Sequence, residues 1–538
     1  MIYQSKPWVS MYDDGVQTMI DIPDLSLVDM LTQAVQNHGK STCTIYEGQS
    51  LTYQAIDDLS ECIARYLQKQ GLNKGDRVGL LLPNSPAFVI SFFGILKAGG
   101  VVMALNPAYR PAEIETQAVE SGIKVLITSE AAYPAIEPVL SKTDLEAIVL
   151  VGQEKTRLPD KVDRWDSVIS AHSGGKRVKV TVSPSDPAVF QYSGGTTGIP
   201  KCAIGLHRNL VANVFQFSQW LVNAKQGEET ILVAIPLYHV YGMVLGMNLA
   251  VKMGARMVLI PNPRDLDVLL NAIEAYQATI FPGVPNIYAA INHYPPVLSG
   301  DYDLSSIKAC ISGSTTLPIK VKQDFEALTK GHLVEGYGLS EAPTATHCNP
   351  ILGENREGSI GLPLPNVECQ VVDLETGTRV LGVGEAGELI VKGPQVMSGY
   401  FERPEETAAT LRDGWLFTGD VVRMDEDGYF YLVDRKKDVI KVGGFQVWPN
   451  EIEAVILKHP AVREAAVAGV LDENGNEMAK AWVVLKDGEI SSEREIQTYC
   501  DQFLTHYKIP RKVVFRDSLP RTMVGKVLRR VLAQEAEN

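Results

Sequence analysis

The chain lacks the features that would place it in several large classes at once. Its seven cysteines, Cys43, Cys62, Cys202, Cys310, Cys348, Cys369 and Cys500, are odd in number, widely spaced and never form a CxxC pair. That excludes a disulfide framework and a cysteine zinc site, and it points to a reducing compartment. None of the nine histidines stands in an HExxH pairing, so no structural metal is expected. There is no basic excess: 50 basic against 64 acidic side chains give a formal charge of -14. Such a balance favours solubility and disfavours a general nucleic-acid binder. The most apolar early run, Phe88 to Leu96, falls short of the ~20 residues a membrane helix needs. Residues Met1 to Lys6 have no apolar core like that of a secretory signal. A cytoplasmic protein is expected, without repeats or low-complexity segments.

What is present is a long, ordinary globular composition, with 538 residues, 45% hydrophobic and 21% charged. At roughly 100–200 residues per domain, several domain-sized units fit. Short apolar runs alternate with amphipathic stretches through most of the first 430 residues. Arg77–Leu82, Gly100–Leu105, Lys124–Thr128 and Ala147–Val151 read as buried strands, and Pro86 to Ala98 reads as a helix between two of them. This succession argues for parallel α/β sheets. Near Gly387 the pattern shifts to short strands, Glu388–Val391, Val421–Met424 and Tyr429–Val433, separated by Gly and Asp turns. The charged stretch Asp434-Arg-Lys-Lys-Asp438 comes next, and strands and helices then resume. Few contacts cross such a segment, so the expected division is 1–434 and 435–538. The fold class is α/β: a large domain of parallel-rich sheets with a β-rich subdomain, and a small α+β C-terminal domain.

Ala188–Tyr192 reads as a strand running into Ser193-Gly-Gly-Thr-Thr-Gly-Ile-Pro-Lys201. Glycines let backbone N–H groups approach phosphate oxygens, while Ser193, Thr196 and Thr197 add hydroxyls and Lys201 adds charge. A Gly/Ser/Thr loop is commonly a surface turn. Three glycines, three hydroxyls and a lysine directly after a strand favour a phosphate loop. It is not a Walker A loop, which needs GxxxxGK[ST], because Ile199-Pro200 separates Gly198 from Lys201 and Cys202 comes after.

On these residues the chain resembles the adenylate-forming enzymes: acyl-CoA synthetases, 4-coumarate–CoA ligases, luciferases and peptide-synthetase adenylation domains. Cys202 departs from their usual glycine. The resemblance runs from about Leu51-Thr-Tyr53 to Lys526. It implies that Ser193, Gly194, Gly195, Thr196, Thr197, Gly198 and Lys201 cradle phosphate. Pro236-Leu-Tyr-His-Val-Tyr-Gly242 resembles the acid-site motif, which puts His239, Tyr241, Met243 and Gly313 at the acyl group. Gly336-Tyr-Gly-Leu-Ser-Glu341 resembles the YGxTE motif, implying Tyr337 on adenine, Ser340 on phosphate or acyl carbonyl, and Glu341 with Thr196 on Mg²⁺. Gly313, Ser314, Thr315, Glu335 and Gly336 fall to the nucleotide in the same way.

Trp415-Leu-Phe-Thr-Gly-Asp420 resembles the segment whose carboxylate takes both ribose hydroxyls, chemistry that suits two acceptor oxygens, with Arg435 as a second ribose contact. Lys437 falls at the hinge of a mobile C-terminal domain, Lys441 and Gln446 near the adenylate phosphate, and Gly443 and Gly444 on the pantetheine tunnel. Pro520-Arg-Thr-Met-Val-Gly-Lys526 resembles the catalytic-lysine loop, whose ammonium can bridge the acid oxygen and α-phosphate as charge builds. Singly, most of these residues would be turns, caps or solvated charges; their order and spacing give them weight.

The implied activity is an ATP-dependent acid–CoA ligase using ATP, Mg²⁺ and CoA, with Lys526, His239 and Glu341 catalytic. Asn262-Pro-Arg-Asp265, Gly358–Pro363, Lys392–Met397 and Val433–Asp438 resemble bacterial long-chain fatty acid–CoA ligases most. Apolar Met243–Met247 suits an alkyl chain, each buried CH₂ contributing ~0.8 kcal/mol, although a Met-rich helix is more often core. The alternatives are a 4-coumarate-type aryl acid ligase, a carrier-protein-dependent adenylation domain and a catalytically dead nucleotide binder. An amino acid's ammonium would find no Asp within residues 236–242 and would be left unpaired. Expected partners are small-molecule substrates and no nucleic acid. Chain length, oligomeric state and any weak peripheral membrane contact stay open.

Overall fold

A computed structural model describes residues 2–152, 161–192, 201–442, 445–472, 477–522 and 525–537. One sheet runs in the order Val162–Arg164, Ala147–Val151, Val125–Ser129, Arg77–Leu81, Val101–Ala104, Pro187–Tyr192 and Cys202–Leu206. All its pairings are parallel except the last. The central strands are buried along nearly their whole length, as continuous apolar runs require when helices cover both faces. The helix Pro86–Lys97 is capped by the Ser85 hydroxyl, which accepts the Phe88 N–H at 3.3 Å, and is buried all round.

The second sheet has 14 strands. Its parallel part includes Arg256–Leu259, Thr230–Val233, Ile280–Gly283, Ala309–Ser312 and His332–Leu339. Antiparallel strands continue it through Ala342–Cys348, Ser359–Pro363, Phe430–Arg435, Trp415–Met424, Gly387–Lys392 and Glu368–Val372. The β-rich region therefore begins earlier than the sequence pattern near Gly387 predicts. Ala342–Cys348 is buried at every position, so it shows none of the alternation by which an antiparallel strand is usually read.

After residue 440 come a small hairpin, Ile440–Val442 with Phe445–Val447, and a sheet of Val462–Leu471, Glu477–Leu485 and Lys512–Phe515. The helices Pro449–Ile456, Glu493–Asp501 and Arg529–Glu537 accompany them. This unit has its own apolar clusters, one around Ile440, Val467 and Ile496 and another around Trp482 and Leu532, whose members all lie at or beyond Ile440.

The junction between the two parts is polar. Asp434 is buried and accepts the N–H groups of Arg435 and Asn450, each at 2.8 Å. Arg529 lies 2.7 Å from Glu453 and 3.6 Å from both Asp434 and Asp438. Burial pushes the Asp434 carboxyl up to about 6, against the pull of the Arg529 guanidinium. All seven cysteines are buried free thiols. Among the described residues no helix is long and apolar enough to cross a membrane.

Candidate active site

The antiparallel register of Trp415–Met424 against Phe430–Arg435 puts Asp420 directly opposite Arg435. Their side chains meet, Arg435 Nε lying 3.3 Å from Asp420 Oδ1. The Tyr337 hydroxyl donates to the other oxygen, Oδ2, at 2.6 Å. Tyr337 comes from the strand His332–Leu339, farther along the same sheet, where it pairs with His347 of Ala342–Cys348. Behind it the buried His347 ring packs edge-on against Tyr337 and Phe430. Burial raises the Tyr337 phenol well above its ordinary range, and the Asp420 charge adds to this, so it stays a donor to Asp420.

A second group forms around the motif at 236–242. The His239 Nδ1 accepts the Tyr241 N–H at 3.2 Å, which leaves Nε2 to carry the proton of the neutral ring. Burial, and then the ammonium of Lys526, push His239 down to about 4. The Tyr241 hydroxyl donates to the Ile311 carbonyl at 2.5 Å. Its ring lies against Gly313, where an added Cβ would come within 3.3 Å of it. Met243 is fully buried in Gly242–Asn248, a π-helical turn rather than the α-helix the sequence pattern predicts. Such turns are rare and concentrate at functional sites.

Lys526 joins the two groups. It sits in a tight hairpin closed by a bridge between Arg521 and Val527. Its N–H donates to the Thr522 hydroxyl at 3.1 Å, and its carbonyl accepts the Thr522 N–H at 2.7 Å. Gly525 turns the hairpin at φ +85°, a conformation side-chain-bearing residues rarely adopt, and its Cα faces Asn286 of the larger part. Arg521 braces the loop, donating to the Gly525 carbonyl at 2.7 Å and to Glu464 at 2.5 Å. Burial lowers the Lys526 ammonium, and Arg435 lowers it further, while Asp420 and Glu341 pull the other way. One ammonium thus lies in the fields of Asp420, Arg435, Glu341 and His239.

On the remaining side, the Tyr400 hydroxyl donates to Glu341 Oε1 at 2.8 Å. The Lys201 ammonium sits 5.2 Å above the Tyr400 ring. Ser193, Gly194, Gly195, Thr196, Thr197 and Gly198 lie outside the described residues, as do Gly443 and Gly444. Ser340 precedes Glu341 in the turn between His332–Leu339 and Ala342–Cys348. Gly336 pairs with Cys348. Ser314 follows Gly313 at φ 78°, a left-handed backbone that side-chain-bearing residues hold at a cost, and Thr315 is exposed.

Two sequence profiles match this chain: that of the AMP-binding enzyme over residues 31–401, and that of the AMP-binding enzyme C-terminal domain over 451–526. The chain belongs to the AMP-binding enzyme family. It is 41% identical to the long-chain-fatty-acid–CoA ligase of Bacillus subtilis, with 99% of each chain covered. It is 34% identical to 4-coumarate–CoA ligase 2 of Nicotiana tabacum over 90% of this chain and 89% of that one. ATP-bound MatB from Rhodopseudomonas palustris superposes with a TM-score of 0.86 at 28% identity, covering 96% of this chain and 99% of MatB.

Not every residue singled out by the AMP-binding resemblance meets the Lys526 cluster. Lys441 and Gln446 are exposed and paired across the small hairpin. The Lys441 N–H donates to Glu477 at 2.9 Å, and Gln446 lines a groove with Asp373, Thr376 and Arg379. Lys437 is exposed. The buried Glu335 turns its carboxylate to the Leu317 N–H at 2.9 Å. Tyr400 is not legible in the sequence: it stands 59 residues from Glu341, in a Ser-Gly-Tyr-Phe run with no charge or spacing to draw notice.

Glu335 gives a pH prediction. Burial pushes its carboxyl up to about 8, the Leu317 hydrogen bond opposing. An acid raised in the folded state stabilises fully below its unfolded value, and that contribution is lost as pH rises through the folded value. Glu335→Gln should therefore melt close to the parent at pH 5. It should exceed the parent by about 1–3 kcal/mol at pH 9. Melting curves at the two pH values check this, and a gap that does not depend on pH rejects it.

Proposed function

We propose that this chain is an ATP-dependent fatty acid–CoA ligase that passes through an acyl-adenylate and releases AMP and pyrophosphate. The reading is supported by the electrostatics of Lys526, whose buried ammonium feels Arg435, Asp420 and Glu341 and itself lowers His239. In the first half-reaction a carboxylate oxygen attacks the α-phosphorus of ATP and pyrophosphate leaves. Lys526 meets the negative charge that grows between the acid oxygen and the α-phosphate, a placement that works because the group is held in a partly dehydrated site. Neutral His239 lines the acid side, donating through Nε2. Asp420 and Arg435 orient the ribose, and Tyr337 flanks the base.

Glu341 fits an Mg²⁺ ion: it is a hard carboxylate with one oxygen engaged by Tyr400 and the other on the same side chain to offer. No group of three or more His, Cys, Asp or Glu gathers among the described residues. A single carboxylate shared with substrate phosphates is the usual Mg²⁺ arrangement, and Thr196 is proposed beside Glu341. When bound, the ion would offset triphosphate charge.

The proposed domains are 1–434 and 435–538. In the second half-reaction the smaller one swings about Lys437, withdrawing Lys526 and bringing Gly443, Gly444, Lys441 and Gln446 to the adenylate. The CoA thiol then attacks the acyl carbon and AMP leaves. The exposed, outward setting of Lys441 and Gln446 beside an inserted Lys526 supports such an exchange. Solution in the cytoplasm is the proposed location.

Fatty rather than aryl acid follows from the higher identity to the bacterial fatty acid ligase and from fully buried Met243 and Met247. AMP release should be measured across fatty, aryl and amino acids, with and without CoA. The expected result is turnover of fatty acids that requires CoA. Preferred aryl turnover would instead favour the 4-coumarate type, and CoA-independent exchange with amino acids would favour an adenylation domain.

A further inference from the structure

Residues 397–401 stitch together two separate pieces of the site. On one side the Met397 N–H donates to the Glu341 carbonyl at 2.8 Å. On the other, Ile204 donates to the Gly399 carbonyl at 2.9 Å and Phe401 to the Cys202 carbonyl at 2.9 Å. Cys202–Leu206 is the strand that leaves the phosphate loop. Tyr400 itself is 8% exposed, so its ring is locked by packing, and its N–H is held by the Thr407 hydroxyl at 2.9 Å. From this fixed base the hydroxyl reaches Glu341 Oε1 and the ring underlies the Lys201 ammonium.

We propose that Tyr400 is a positioning residue for the nucleotide–Mg²⁺ centre, holding the Glu341 carboxylate with its hydroxyl and Lys201 with its ring. The proposal rests on the reading of Glu341 as the Mg²⁺ contact. A carboxylate has two oxygens and rotates freely about its last bond. A phenol hydrogen-bonded to one of them sets the plane of the group and directs the other oxygen toward the cation. A cation over an aromatic face is likewise restricted in direction. One side chain therefore sets the spacing between the group that faces the metal and the group that faces phosphate, although the two lie at the ends of different strands.

The test compares the parent with Y400F, Y400L and E341Q. Free Mn²⁺ is followed by electron paramagnetic resonance as it is titrated into each protein with α,β-methylene-ATP, an analogue that cannot be adenylated. E341Q should hold Mn²⁺ markedly less well. Y400F, which keeps the ring, should weaken Mn²⁺ by about tenfold, as expected for a lost hydrogen bond to a charged group. Its ATP–pyrophosphate exchange should recover when Mg²⁺ is raised, which a general packing defect would not do. Y400L should in addition raise the KM for ATP about two- to fivefold through loss of the ring under Lys201. If E341Q loses Mn²⁺ and Y400F holds it like the parent, the positioning role is overturned and the role of Glu341 stands. If E341Q also holds Mn²⁺ like the parent, the reading of Glu341 falls and that of Tyr400 with it. Melting curves of Y400F separate either outcome from misfolding.

Discussion

Lys526→Ala should reduce ATP–pyrophosphate exchange by about 10³-fold, the order seen when one preorganised charge-stabilising group is removed from an active site. Thioester formation from supplied acyl-adenylate and CoA should keep most of its rate. The asymmetry follows from the proposed roles: the Lys526 ammonium acts electrostatically on His239 and feels Asp420, the residues proposed for the acid and the ribose, and charge would develop between acid and nucleotide only while the phosphoanhydride is being exchanged. Lys526→Arg should retain part of the exchange, since the charge survives but a planar fork replaces a compact ammonium. The alkaline limb of pyrophosphate exchange should also fall below pH 10.5, because burial and Arg435 both lower this lysine. Single-turnover measurement of each half-reaction decides the matter, and equal loss in both rejects the assigned role.

The second large effect lies away from the chemistry. Lys97, 6% exposed at the end of helix Pro86–Lys97, places its ammonium 2.6 Å from Asp57 and 3.4 Å from Glu61. Asp57 and Glu61 belong to helix Tyr53–Lys69 and are themselves buried. Arg177 also pairs with Asp57, but its side chain is mostly in solvent. Lys97→Met keeps the bulk and leaves two buried carboxylates short of a partner. Breaking such a pair on one side costs about 3–5 kcal/mol, to be read from urea unfolding at pH 7.

Restoring neutrality with Asp57→Asn and Glu61→Gln in the same chain should return most of that loss. Burial alone would raise Asp57, yet Arg177 and Lys97 outweigh it and hold the carboxyl below its ordinary 3.8. A carboxylate lowered by folding stabilises above its unfolded value and ceases to do so as pH falls through its folded value. The deficit of Lys97→Met should therefore narrow below about pH 4. A deficit that stays constant down to pH 3 would show that packing rather than charge is at work.

Much of the fold is open to reading because its parallel strands are continuous apolar runs closed by turns. Arg77–Leu81, Val101–Ala104, Val125–Ser129 and Ala147–Val151 all fall within a residue or so of their expected places. Ala342–Cys348 escapes such reading because burial on both faces erases the period of two. The turn at Gly242–Asn248 escapes it because a π-helix differs from an α-helix in backbone pairing and not in residue preference. In the site, Asp420 and Arg435 can be named separately, but their contact depends on a strand register that no local pattern encodes. Tyr400 is hidden for the same reason: a neutral aromatic declares nothing until the carboxylate it touches is brought to it.

The pairing of Asp420 with Arg435 has a mechanical consequence. The Lys436 N–H bonds the Gly419 carbonyl at 2.9 Å, and the Lys436 ammonium reaches Glu388 at 2.7 Å, whose other oxygen takes the Gly419 N–H. The chain is thus riveted to the strand Trp415–Met424 up to the residue just before the proposed pivot. The proposed rotation about Lys437 would then start beyond these bonds, leaving the Asp420–Arg435 pair in its place while the smaller domain turned.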